Sequence, residues 1–239
     1  MAASITRLKR LEARLEPVPW DFATEHRAEI DAHWASLIAQ KPARFNGLFN
    51  GTVLMQHRWS LQDDVYETDY TPVDYASFVA WIQLGQPGAP RRNGFAMGAL
   101  ESTDGAFVLG VMAAHTVNAG KIYFPGGTPD LHDVTTDGRV DLGGSLTREL
   151  FEETGLRPDE VTIREEWVLV TESYRAAFLK PALLAYDAET ARQIMLGRLA
   201  SHTDEELADF VIVRQPSDIN EAKTPEFAAA YMRWVFANR

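Results

Sequence analysis

Cysteine is absent from all 239 positions of the chain. That excludes a disulfide framework, a thiolate zinc site and a cysteine nucleophile, and it is compatible with a reducing cytoplasm, the compartment expected here. Long apolar runs are missing too. No stretch approaches the ~20 residues needed to span a bilayer, and the first residues lack the apolar block of a secretory signal, so no membrane association is expected. Positive charge is the third shortage: 23 Lys and Arg stand against 34 Asp and Glu, a formal charge of −11. Such a field repels phosphate backbones, and a nucleic-acid polymer is not an expected partner. A small anionic substrate would need a local source of positive charge, and a divalent cation is the simplest one. Clustered carboxylates are therefore the feature to look for.

What is present is ordinary globular composition, 46% hydrophobic and 24% charged, enough to bury a core. Near the start, Arg7, Lys9, Arg10 and Arg14 are interrupted by Glu12 and Glu16, which argues against a transit peptide. Ile5, Leu8, Leu11 and Leu15 recur at helical spacing and predict an amphipathic helix over residues 4–15. After Pro17-Val18-Pro19, Asp21 is a candidate cap for a helix with Ile30, Trp34, Leu37 and Ile38 on one stripe, ending before Pro42. Residues 52–59 and 64–70 read as strands and 74–84 as a helix. Residues 1–90 are thus expected to form an N-terminal helical and β-strand extension packed on a core, and residues 91–239 the main domain.

In that main domain, 95–100 and 106–111 are strand-like, and Thr103-Asp104-Gly105 between them predicts a tight hairpin. A strand over 121–124 runs into Pro125-Gly126-Gly127, where glycines let the backbone turn and approach a ligand. A polar loop from Asp130 to Gly144 leads into a helix of about a dozen residues that stops at Gly155, with Pro158 beyond it. Strands are expected over 167–171, 177–186 and 210–213, and helices over 189–199 and 225–238. No internal repeat or low-complexity segment is found. The fold class is α/β (α+β), a mixed sheet sandwiched by helices.

The chemistry lies in Arg148-Glu149-Leu150-Phe151-Glu152-Glu153-Thr154-Gly155-Leu156. On a helix advancing ~100° per residue, Glu149, Glu152 and Glu153 share one side. Like charges at these spacings, close to a helix C-terminus, oppose one another and the dipole, and call for a compensating cation. Oxygen ligands select Mg²⁺ or Mn²⁺ over zinc, and Mg²⁺ commonly joins carboxylates to substrate phosphates. A solvated helix face is the plain alternative. Against it, Leu146 and Leu150 bury the adjoining stripe, and Arg148 is spaced to pair with Glu152.

Glycines after a strand, a loop, and then Arg-Glu-apolar-x-Glu-Glu-x-Gly-apolar resemble the Nudix box, over about residues 121–156. The resemblance implies a Nudix α/β/α sandwich, extending over roughly 95–215, and attack by a metal-activated water on a diphosphate. It implies Glu149, Glu152 and Glu153 as metal ligands, the Gly126 carbonyl as another, and Arg148 as the residue orienting a carboxylate; of these, Glu152, Glu153 and Arg148 are the candidate catalytic residues. One departure stands out: where the family places a glutamate eight residues before the arginine, this chain has Val140. The loop before Arg148 is also longer than usual, so Asp130, Asp133 and Asp141 are candidate replacements, and Asp141 is equally a helix cap. The general base in this family commonly comes from a later loop, which points to Asp204-Glu205-Glu206, with Glu205 and Glu206 as candidates and Glu172 and Glu166 as weaker ones. Arg91, Arg92, Asn93 and Arg175 are candidates for binding the substrate, since guanidinium forks match phosphate oxygens. His115, His132 and His202 have no ligand spacing and receive no role.

A fainter similarity links the chain to the divergent Nudix subgroup that hydrolyses UDP-glucose and UDP-galactose to UMP and sugar 1-phosphate. It rests on Phe45-Asn46-Gly47 or Phe49-Asn50-Gly51, Thr68-Asp69-Tyr70, the Asn93-Gly94 approach to a strand, and Phe210-Val211-Ile212-Val213 after an acidic turn. A UDP-sugar is the favoured substrate. ADP-ribose, a dinucleotide or coenzyme A would suit the same box, and a catalytically silent nucleotide-binding sensor is the reading from a different class, for which Val140 speaks. The expected partner is a small-molecule nucleotide; a homodimer is left open.

Overall fold

The computed structural model describes residues 3–40, 49–199 and 206–239. The chain begins with two strands, β1 (Ser4–Leu8) and β2 (Arg10–Leu15), rather than the amphipathic helix its spacing predicts. The reason is long-range pairing. Strand β1 lies antiparallel to residues 167–171, whereas β2 runs parallel to residues 65–70. The backbone crosses from one sheet to the other at Lys9, whose amide donates to the Asp64 carbonyl. Ladder hydrogen bonds to two waiting strands outweigh a weak local periodicity.

Helices α1 (Asp21–Glu25) and α2 (Arg27–Ala39) follow, broken at His26. Asp21 does not cap: it is the first residue of α1, and Trp20 precedes it without a side-chain bond. Ile30 is fully buried, but Ile38 is exposed, so the expected stripe is buried at one end only. Strands β3 (Thr52–Gln62) and β4 (Val65–Asp74) complete a three-stranded sheet in the order β2-β4-β3. Helix α3 (Tyr75–Gln83) is capped by Asp74, which accepts from the Ser77 amide.

The large sheet is built on β5 (Asn93–Glu101) and β6 (Phe107–Met112). The turn between them is tight, as the sequence predicts, with the Ser102 amide donating to the Ala106 carbonyl and the Gly105 amide to the Ser102 carbonyl, but the strands pair only at Glu101 and Phe107 before they part. Two short strands, β7 (Ile122–Tyr123) and β8 (Gly126–Gly127), wedge between them: β7 pairs with β6 and β8 with β5. At the turn only Gly105 has a positive φ, while the Asp104 side chain accepts from Ser102 and from the Ala188 amide. Beyond helix α4 (Leu142–Thr154) come β9 (Val161–Ile163), β10 (Trp167–Glu172), β11 (Arg175–Leu184), helix α5 (Ala188–Leu199), β12 (Leu207–Val213) and helix α6 (Glu226–Ala237). The spatial order is β1-β10-β11-β5-β6-β12, with β11 parallel to β5 and antiparallel pairs elsewhere. The sheet is therefore mixed.

Alternation along the strands sorts its two faces. Phe95, Met97, Phe107, Leu109, Val170, Ala177 and Leu179 meet Phe227, Tyr231 and Met232 of α6. Leu100, Val108 and Ala182 meet Leu150 of α4 and Ala188, Ala191 and Met195 of α5, while Ala96, Leu169 and Phe178 meet Leu142 and Leu146. Helices thus cover both faces, the α/β/α arrangement the sequence implies. A buried polar chain joins the two sheets: Tyr66 donates to Gln56, Gln56 to Tyr70, and Tyr70 to the Gly94 carbonyl. Among the described residues no helix is long and apolar enough to cross a membrane.

Candidate active site

Helix α4 starts where Asp141 accepts from the Gly144 amide at 2.9 Å, so capping is the role this aspartate takes. It stops at Gly155, which adopts the left-handed conformation with φ 65°. Leu142, Leu146 and Leu150 are buried and fix the rotation of the helix about its axis. Glu149 and Glu153 are thereby left half-buried on its flank and Glu152 exposed.

The wedge strand brings the glycine bend to that flank. Gly126 has φ 146°, and a Cβ there would stand 2.2 Å from the Ala96 carbonyl oxygen, so only glycine fits. Its amide donates to Glu153 Oε2 at 3.0 Å. A Cβ on Gly127 would lie 3.4 Å from the Glu149 carboxyl carbon, which places that carboxylate against the bend. Glu152, whose side chain is 64% exposed, turns instead toward Arg148, 3.5 Å away. Arg148 also donates from Nη1 to Glu149 at 2.5 Å and from Nη2 to Asp133 at 2.9 Å. The expected Arg148–Glu152 pair is present, and Asp133 is the one of the three candidate aspartates that reaches the arginine.

Burial pushes the Glu153 carboxyl well above its ordinary value; the Gly126 amide opposes this, and the charges of Glu206, Glu149 and Glu152 add to it. Burial also raises Glu149, against Arg148 and with help from Glu152 and Glu206. Glu206 is thus close enough to act on both. Its backbone is fixed by the Ala113 amide, which donates to its carbonyl at 2.7 Å, and its side chain is exposed. Glu205, Asp204 and His202 lie outside the described residues. Sequence reasoning missed Tyr75 and Tyr123. Burial raises both phenols; the charge of Glu206 adds to both shifts and that of Glu153 to the shift of Tyr123. No sequence signal marks either, because they come from α3 and β7 and meet the carboxylates only in the fold.

The other candidates separate. Arg91 is buried: Nη2 donates to the Pro19 carbonyl, the guanidinium lies 5.6 Å from the Trp20 ring, and among the described residues Nε and Nη1 have no hydrogen-bond partner. Trp20, the residue before α1, thus lies beside it. Arg92 stacks on Trp59 of the small sheet, 4.2 Å from the ring centre. Asn93 and Arg175 are cross-strand neighbours; Asn93 accepts from Thr128, and Arg175 lies over Tyr174 and 3.9 Å from Glu172. Glu166 is exposed, and the group on which its charge registers is Tyr231 on the α6 face. His132 is exposed beside Asp130.

Among the described residues, no three carboxylate or imidazole groups stand gathered as a finished ligand set. The fit to a divalent cation rests on donor chemistry and charge. All the donors are hard oxygens, which suits Mg²⁺ or Mn²⁺. Among the described residues Glu153 has a single backbone amide as its polar partner, and the burial and repulsion that raise Glu149 and Glu153 are what a cation would offset.

Solved structures resemble this chain, among them two Nudix-type proteins. One is a Nudix hydrolase, RenU, from M. smegmatis, at 20% identity and a TM-score of 0.40 over 63% of this chain and 89% of that one. The other is the MutT protein from Methanosarcina mazei Go1, at 19% identity and a TM-score of 0.37 over 62% of this chain and 92% of that one. No family model matches the chain, and no curated protein matches it.

Proposed function

We propose that the chain is a metal-dependent hydrolase of the Nudix kind, which splits the diphosphate bridge of a nucleoside diphosphate derivative, a UDP-sugar by preference. The observation that carries this is the placement of Glu149 and Glu153 against a Gly126-Gly127 bend, where burial first and then the charges of Glu152 and Glu206 favour the protonated form of both. Glu149, Glu152, Glu153 and the Gly126 carbonyl would hold the ion. A bound Mg²⁺ or Mn²⁺ would supply the charge that acidifies a water and draws electrons from the diphosphate. Arg148 keeps Glu149 oriented. Glu206, with Glu205 as its sequence neighbour, takes the proton of the attacking water. Asn93 and Arg175 are the pair offered to the substrate.

For the UDP-sugar, the support is the resemblance of short fragments, two of which meet in space: the Tyr70 hydroxyl donates to the Gly94 carbonyl at 3.1 Å. Phe45-Asn46-Gly47 lies outside the described residues. A catalytically silent nucleotide-binding domain is the second reading, favoured by the absence of a gathered ligand set among the described residues. The test is a panel of UDP-sugars, ADP-ribose, dinucleoside polyphosphates and coenzyme A, assayed for phosphate-ester products with Mg²⁺, with Mn²⁺ and with chelator. Turnover that needs the ion and disappears in Glu152→Gln, with the fold retained, is expected. Binding without turnover across the panel would favour the silent domain instead.

A further inference from the structure

We propose that Asp133 is the positioning residue for Arg148, supplying from a separate turn the carboxylate that the box pattern puts at position 140. The inference rests on the hydrolase reading above. Asp133 ends a short 3-10 turn, Leu131–Asp133, and its side chain is 5% exposed. Its two oxygens are fully engaged. Oδ1 accepts from Arg148 Nη2 at 2.9 Å, and Oδ2 accepts from Ser145 Oγ and from the Asp130 amide, both at 3.0 Å. Its carbonyl accepts from the amide of Asp141, the cap of α4, at 2.8 Å. A buried anion held from three directions has one orientation, and it presents that orientation to the guanidinium.

Position 140 is used otherwise. Val140 is buried among Ala13, Leu142 and Leu146, its amide donates to the Ala13 carbonyl, and it bridges to Val134. That residue fastens the loop to β2 and has no polar atom to offer Arg148. The extra loop length before α4 is what lets the chain form the turn and bring Asp133 back under the helix. Asp130 caps that turn by accepting from the His132 amide, and Asp141 caps α4, so each of the three aspartates has a distinct task.

Arg148 then acts as a fork between Asp133 on one side and Glu149 and Glu152 on the other. With Asp133 in place, half of the guanidinium is committed to a buried partner, and Glu149 is oriented without being fully neutralised. Without Asp133, all of the arginine's donors turn to Glu149 and Glu152, and they compete with a cation for the same oxygens. Partners standing behind metal ligands typically change metal affinity by about 10- to 100-fold when removed.

The test is a titration of the full chain with Mn²⁺, followed by electron paramagnetic resonance without substrate, with a melting curve for each variant. Asp133→Asn, which keeps the shape of the side chain, is expected to weaken Mn²⁺ binding by about tenfold or more. In an Arg148→Gln background the same substitution is expected to have no further effect, because its action passes through the arginine. Ser145→Ala removes one of the bonds that orient Asp133 without touching Arg148; it should lower the melting temperature and weaken Mn²⁺ binding by less than Asp133→Asn does. Unchanged affinity in Asp133→Asn, an equal loss in both backgrounds, or a matching loss in Ser145→Ala would overturn the proposal and leave the hydrolase reading standing. A wild type that binds no Mn²⁺ would overturn both.

Discussion

Glu153 is held half out of water with Oε2 on the Gly126 amide, and burial together with the charges of Glu206, Glu149 and Glu152 raises its carboxyl well above the ordinary range. A carboxylic acid whose folded value exceeds its unfolded value binds a proton more tightly in the folded state. The stability it contributes is complete below the unfolded value and is lost as pH rises through the folded value. At the pH where the site works, the ionised group therefore strains the metal-free protein. Glu153→Gln is expected to melt higher than the wild type in chelator, by a margin that grows as pH rises out of the carboxylate range. Addition of Mg²⁺ should stabilise the wild type alone and close the gap, while turnover is lost in the variant. Calorimetry across pH, with and without the ion, reads all of this, and a wild type that never falls below Glu153→Gln in chelator would show the site to be ordinary solvated carboxylate.

The far end of α4 is held by a different acid. Glu160, buried just before β9, accepts from both Nη atoms of Arg198 on α5, from the amide and guanidinium of Arg157, and from the Tyr186 hydroxyl. Arg198 in turn donates to the Gly155 carbonyl at 2.8 Å, which pins the C-terminus of α4 against α5. Hydrogen bonding from Arg198 is the main cause that lowers the Glu160 carboxyl to about 2. This stability is present above the ordinary carboxylate value and is lost as pH falls through about 2. Breaking such a pair by removing one charge costs about 3 kcal/mol or more. Glu160→Gln is accordingly expected to unfold at lower urea concentration at pH 7, with the deficit shrinking as the acid limb is approached, and to keep turnover at low temperature because no carboxylate of the bend is touched. Elements of this kind differ in how far sequence reveals them. Helix α4 was legible because its cap, its leucine stripe and its terminal glycine are all local. Strands β1 and β2 were not, since their partners lie across the chain, and neither was the splitting of β5 from β6, which depends on a wedge arriving from residues 122–127. In sequence Asp133 is one of three equal candidates; the turn that carries it, formed only in the fold, sets it apart.

At the scale of the whole molecule, residues 4–15 run through both sheets, and the main domain expected over residues 91–239 leans on what precedes it. A fragment beginning at Arg91 would leave the outer edge of β10 without the ladder it makes to Ser4–Leu8. It would uncover Ala96, Leu169, Ala176 and Phe178, which pack against Leu8, Ala13, Leu54, Tyr66 and Tyr70. The Gly94 carbonyl would lose the Tyr70 hydroxyl, and the Val140 amide would lose the Ala13 carbonyl that anchors the loop carrying Asp133. The last of these ties the N-terminal strands to the chemistry, because that loop holds Arg148. Residues 91–239 alone are therefore expected to bind a hydrophobic dye, to melt without a cooperative transition, and to show no ion-dependent turnover even if their far-ultraviolet circular dichroism is preserved. Co-expression with residues 1–90 should restore part of both, since the missing strands and the polar chain from Tyr66 to Gly94 can be supplied from a second piece. A fragment that melts cooperatively at the temperature of the full chain and turns over substrate at its rate would mean that residues 1–90 merely rest on a self-sufficient sandwich.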